Sequence, residues 1–143
     1  MPGPQRDDPY KNFNFLVEID GIARAAFSEV SGLDNETTVV EYRSGSELGT
    51  RKLPGLTKYA SLVLKRGITQ DKDLWHWRKS VIDGNVQRRD GRIMLLDDQR
   101  QEVLRWNFRE GWPCKLQGPA LNAKQNEVAI ETLEICHEGL ELE

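Results

Sequence analysis

The stretch FNFLVEIDG, Phe13 to Gly21, places apolar side chains at Phe13, Phe15, Val17 and Ile19 and polar ones at Asn14, Glu18 and Asp20. Only Leu16 departs from the alternation. Successive side chains on an extended chain point to opposite faces, so this is the pattern of a strand with one buried face. Gly21 supplies a turn into IARAAFSEVSG, a second run of strand character. Residues 12–20 and 22–31 therefore read as a strand pair.

Working outward, TTVVEYRSG reads as a third strand centred on Val39 and Val40. YASLVLKRG reads as another, with Leu62 and Leu64 on one face and Lys65 on the other. Between them, SGSELGTRKLPG holds Gly45, Gly49, Gly55 and Pro54. That composition predicts an extended irregular loop over 44–56, long for a connection in a compact domain. Such loops are usually functional or disordered.

One helix is predicted, in TQDKDLWHWRKSVIDG. Thr69 is its expected N-cap, and Asp71 and Asp73 occupy the first turn, where the helix dipole favours negative charge. Leu74, Trp77, Val81 and Ile82 form the apolar stripe, and Gly84 fits the C-terminal stop. GRIMLL, the turn DDQRQ and EVLRWNFRE follow, the last alternating Leu104, Trp106 and Phe108 with Arg105, Asn107 and Arg109. Pro113 argues for an edge strand or a break. In the final run, NEVAIETLEICHEGLEL, Val128 and Ile130 have the opposite parity to Leu133 and Ile135. Either a bulge near Glu131–Thr132 or a strand buried on both faces would accommodate this. The total is roughly seven strands and one helix.

A chain of 143 residues fits a single domain over 1–143, with residues 1–10 as a short arm rich in Pro, Gly and charge. The net charge of −3 lacks the basic excess of a dedicated nucleic-acid binder. No apolar run is long enough to span a bilayer, so no direct membrane insertion is expected. MPGPQRDDPY has no apolar signal core, which places assembly in the cytoplasm. Cys114 and Cys136 are expected to be reduced core residues.

Catalysis needs convergent polar groups of particular kinds, and none stand out. His76 and His137, the only histidines, have no Cys or His at metal-ligand spacing, so each reads as a surface or capping residue. GTRKLPGLTK contains the Gly, Lys and Thr of a phosphate loop, but Leu56 follows Gly55 where a lysine is required. No catalytic residue, metal or cofactor is expected. Trp77 and Trp106 belong to packing, while Trp75 and Trp112 are candidate interface anchors.

DPYKNFNFLVEIDG, RKLPGLTKYASLVLKRG, DLWHW and WPCKLQGPALNAKQNEVAIETLEICHEGLE occur in that order. Together they resemble the tail tube proteins of contractile phages and of phage-like contractile injection systems, over nearly the whole chain. The resemblance implies two packed antiparallel sheets, sandwich- or barrel-like, with one flanking helix. It implies homo-hexameric rings in which subunits join into one continuous β-barrel, and rings stacked into a tube. Sheath and baseplate proteins would be partners, and the lumen would conduct a protein effector or DNA. It further implies that an extended hairpin loop at 44–56 reaches a neighbouring subunit or ring, which makes Glu47, Arg51, Lys52, Leu53 and Leu56, a mixture of charged and apolar groups, candidate contact residues; the alternative is a mobile surface loop with no partner. The alternative is a monomeric small β-barrel that binds a partner.

Overall fold

The computed structural model describes residues 10–11, 14–25, 27–46, 48–125 and 127–143, with the side chains of 23–25 outside that description. Phe13 and almost all of the arm 1–10 thus lie outside the described residues. The strands are β1 (Phe15–Ile19), β2 (Ile22–Ala25), β3 (Glu29–Ser31), β4 (Asn35–Tyr42), β5 (Arg51–Tyr59) and β6 (Leu62–Gly67). Helix α1 (Asp73–Ile82) precedes β7 (Arg89–Leu96), β8 (Glu102–Gln117), β9 (Ile130–Cys136) and β10 (Gly139–Leu142). The fold is mainly β, with antiparallel sheets and one flanking helix, as expected.

The alternation in β1 does what it promised. Val17 and Ile19 are buried, and Glu18 on the opposite face lies across from Arg92 of β7. There Arg92 donates to Glu18 Oε2 and to Asp20 Oδ1, each at 2.8 Å.

Two sheets share one strand. The first runs β2-β1-β7-β8 with β10 also on β8, and the second runs β8-β9-β6-β3. β8 serves both because it is long and bent. Its first part pairs with β7 and β10, and Trp112 to Gln117 pairs with β9. Between the parts, Glu110 has a positive φ of 54° and its backbone N–H is held by Asp90 Oδ1 at 2.9 Å. Pro113 lies in the second part, where β9 is the one strand partner among the described residues, so the proline does sit on an edge. The core lies between the sheets. Val17, Ile19, Ile93 and Phe108 face Leu62, Leu64, Leu133 and Ile135. Full burial of such side chains is worth about 1.5–3 kcal/mol each.

The helix is shorter than predicted, and Thr69 is not its N-cap. Lys72 holds that position without a side-chain cap hydrogen bond. Thr69 Oγ1 instead accepts from the N–H of Asp71, and Asp71 Oδ1 accepts from the N–H of Asp73 at 2.9 Å. Asp71 is held in this turn by Arg66, whose Nη1 lies 3.8 Å from Asp71 Oδ2. Leu74 and Trp77 are buried and Gly84 takes the positive φ of a helix stop, as expected. Val81 is half-buried and Ile82 is exposed, so the stripe is narrower than the sequence suggests.

Three further expectations are corrected. The run 22–31 divides between β2 and β3, which belong to different sheets. No bulge interrupts 131–132, because β9 pairs with β6 in unbroken register from Ile130 to Ile135. Val128 and Ile130 are simply exposed, so their parity imposes nothing. Finally, 44–56 is only partly a loop: Arg51 to Leu56 are strand residues of β5.

Candidate inter-subunit surface

β4 and β5 form a two-stranded antiparallel sheet of their own, and every described residue in both strands is exposed. The ladder runs from Asn35 opposite Tyr59 to Tyr42 opposite Arg51, with an irregularity between Thr37 and Val39. It forms because β4 carries a β-branched run, Thr37 to Val40, and because cross-strand pairs match. Thr37 and Thr57 share a 2.9 Å hydroxyl contact, and Glu41 lies opposite Lys52. The irregularity lets Pro54 and Gly55 sit within a strand, which otherwise excludes them. A side chain at Gly55 would meet the carbonyl of Thr38 at 3.0 Å.

The hairpin therefore presents an apolar stripe on no core. Val40 and Leu53 are directly opposite one another, with Tyr42 two residues on. Leu56, beside the irregularity, is 76% exposed. Among the described residues no further strand pairs with either edge of this two-stranded sheet, and such a sheet is marginal by itself. At its base the hairpin is tied to the body. Ala60 N–H donates to Asp34 O at 3.1 Å, His137 Nε2 lies 3.0 Å from Ala60 O, and the Tyr59 and His137 rings are 5.8 Å apart. His137 is thus a bridge between hairpin and body, while His76 is an exposed helix residue.

Of the residues singled out from sequence, Arg51, Lys52, Leu53 and Leu56 lie together on β5, and Glu47 falls outside the described residues. Sequence reasoning placed a strand on Val39 and Val40 but missed that they and Tyr42 are exposed on the same hairpin. Beside the edge of β3, a groove of about 530 Å³ opens between the sheets, lined by Phe15, Val30, Leu33, Leu95 and Trp106 among others. Trp75, on the outer face of α1, is exposed, and Trp112 is half-buried. Among the described residues no group of three or more His, Cys, Asp or Glu is arranged to hold a metal ion, and no helix is long and apolar enough to cross a membrane.

Comparison with known proteins places nearly the whole chain in one family. No curated protein matches the chain. Among solved structures, a chain of the anti-feeding prophage (AFP) baseplate, 6-fold symmetrised, is 28% identical with a TM-score of 0.86, covering 96% of this chain and 97% of that one. A chain of the PVC sheath/tube terminator in the extended state, from an extracellular contractile injection system, is 26% identical with a TM-score of 0.88, covering 96% and 98%. A chain of the PVC sheath-tube complex in the extended state has a TM-score of 0.88 at 24% identity, over 96% and 93%, and shares the fold. The profile of the T4-like virus tail tube protein gp19 matches residues 11–141. With nearly its whole length matched, the chain belongs to the gp19 tail tube family and is a structural subunit of an inner tube.

Proposed function

We propose that the chain assembles into homo-hexameric rings that stack into a tube around a lumen. The tube works inside a contractile sheath on a baseplate and conducts a protein effector or DNA. The observation that carries this reading is a pair of free edges on one sheet. In β8-β9-β6-β3, the outer edge of β3 and the outer edge of Trp112 to Gln117 have no partner strand among the described residues. Exposed edges of this kind recruit strands from other chains. A head-to-tail contact between two different edges closes into a ring when the rotation permits. Six copies of a four-stranded sheet give a barrel of about 24 strands, wide enough to leave a channel.

The hairpin supplies the second contact. Arg51, Lys52, Leu53 and Leu56, together with Glu47 from the sequence reading, meet a neighbouring subunit or the next ring. A six-fold assembly with sheath and baseplate is supported by likeness to the six-fold symmetrised AFP baseplate chain and the PVC sheath/tube terminator chain. The chain acts as one domain over 1–143, assembled in the cytoplasm. Its role is mechanical: no catalytic step and no cofactor is assigned to it. Sedimentation velocity over a range of concentrations, with negative-stain microscopy of the same samples, tests the reading. Six-membered rings or tubes are expected. Monomer alone at every concentration and salt level would overturn it and leave a small β-barrel binding module.

A further inference from the structure

Cys114 and Cys136 lie on adjacent strands of the second sheet. The direct partner of Cys136 is Trp112, and the register slips between Pro113 and Lys115, leaving Cys114 as the additional residue. An extra residue in one strand bends it and re-aims its side chain. Here the extra residue is Cys114, two positions along β8 from the residue opposite Cys136, and its thiol reaches the carbonyl of Glu134, two positions from Cys136 on β9. Both are unpaired covalently and half-buried.

Their surroundings differ in a way that assigns roles. The Cys114 thiol lies 3.5 Å from the carbonyl of Glu134, to which it donates, an arrangement that holds the proton on sulfur. Burial, with the Cys136 thiol and the nearby Glu134 carboxylate adding to it, pushes the Cys114 thiol up to about 12. Cys136 instead has the Ser61 hydroxyl 3.5 Å from its sulfur, a contact in which either atom can donate. The thiolate is the nucleophile in disulfide exchange.

The geometry points to Cys114 and Cys136 as a redox modification site: a pair that a low-molecular-weight disulfide, such as oxidised glutathione, converts to a cross-strand bond between β8 and β9. Cys136 thiolate attacks one sulfur of the glutathione disulfide, forming a mixed disulfide and expelling one glutathione thiolate. Cys114 then gives up its proton to solvent and attacks the Cys136 sulfur, expelling the second glutathione. One disulfide is thereby reduced to two thiols, and two protein thiols are oxidised to one disulfide. The bond fixes Pro113 to Lys115, the irregular part of the strand, against β9.

The experiment treats the purified full-length chain with oxidised glutathione, blocks remaining thiols with iodoacetamide, and measures intact mass. The expected product has lost two hydrogens, carries no glutathione or alkyl group, and reverts with dithiothreitol. The roles are tested with C114S and C136S. C114S is expected to retain one glutathione on Cys136, and C136S to remain largely free of it. A stable glutathione adduct on the unsubstituted chain, alkylation of both cysteines, or a link between two chains would overturn the proposal. Preferential adduct formation by C136S would overturn the order of attack. Because the readout is mass on the unsubstituted protein first, a folding defect in either variant leaves the main test intact.

Discussion

Phe108 fits its slot because Gly91 and Gly111 leave the space that a methyl group would occupy. A Cβ at Gly91 would meet the carbonyl of Glu18 at 2.6 Å as well as the Phe108 ring, and one at Gly111 would meet Phe108 Cε2 at 2.8 Å. Gly91→Ala should therefore destabilise the subunit by about 1–3 kcal/mol, the range for overpacking. A urea midpoint equal to that of the parent would show that the ring can move aside. Trp77 is 2% exposed, and its indole N–H reaches Gln87 O at 2.7 Å. Trp77→Ala should cost about 3–5 kcal/mol, read as a lower melting temperature of the isolated subunit. Trp77 was legible in the sequence, because an aromatic residue at helical spacing from Leu74 has one sensible place to go. Arg66 was not. It continues the parity of Leu62 and Leu64 into the interior, where it is 4% exposed and pairs with Glu131. A charged residue at the end of a strand normally reads as solvated, and nothing in the sequence announces a carboxylate 65 positions away. Arg66→Met should cost about 3–5 kcal/mol by leaving Glu131 buried without its partner. Adding Glu131→Gln should recover much of that loss, and a double-mutant cycle with no coupling would contradict the pairing.

The hairpin is where pattern reading stopped short. Pro54 and Gly55 broke the alternation that Lys52 and Leu53 would have continued, and a sequence does not show that an irregularity opposite Thr37–Val39 absorbs them. The helix, in contrast, gave up its type and its stop from sequence, while its start and the width of its apolar stripe did not follow: Asp71 is diverted to Arg66 and Ile82 is exposed. Since neither strand of the hairpin contributes to the core, the element can be shortened without touching it. A chain joined by a two-residue turn after Thr37 and before Thr57 should keep the far-UV circular dichroism of a β protein. Tubes in electron micrographs should be lost or sharply fewer. Normal tubes from this variant would remove the hairpin from the contact. Alanine at Arg51 and Lys52 alone should act weakly and in a salt-dependent way, since exposed ion pairs are worth roughly 0–1 kcal/mol each.

At the scale of the whole molecule, the mainly β class and its single helix followed from periodicity, yet strand order did not. Period two tells which face of a strand is buried and says nothing of its neighbours, so the sharing of β8 between sheets and the free edges of β3 and β8 emerge only in three dimensions. Those edges also make stability a collective property. If subunits complete one another, assembly stabilises the folded state by mass action. The melting temperature should rise with protein concentration for the full chain and much less for the shortened hairpin. A melting temperature independent of concentration in both would mean that the subunit gains nothing from its copies.

The bent strand β8 carries one more consequence, and it concerns force. Two sheets held only by side-chain packing can slide over one another under shear, because apolar contacts are exchanged at little cost as they move. Here a single backbone passes from one sheet into the other at Glu110–Gly111, so a push on one layer travels into the second through covalent bonds. Slippage would require stripping β8 from β7 or from β9, ladder by ladder. A subunit wired this way resists shear between its layers as a solid block.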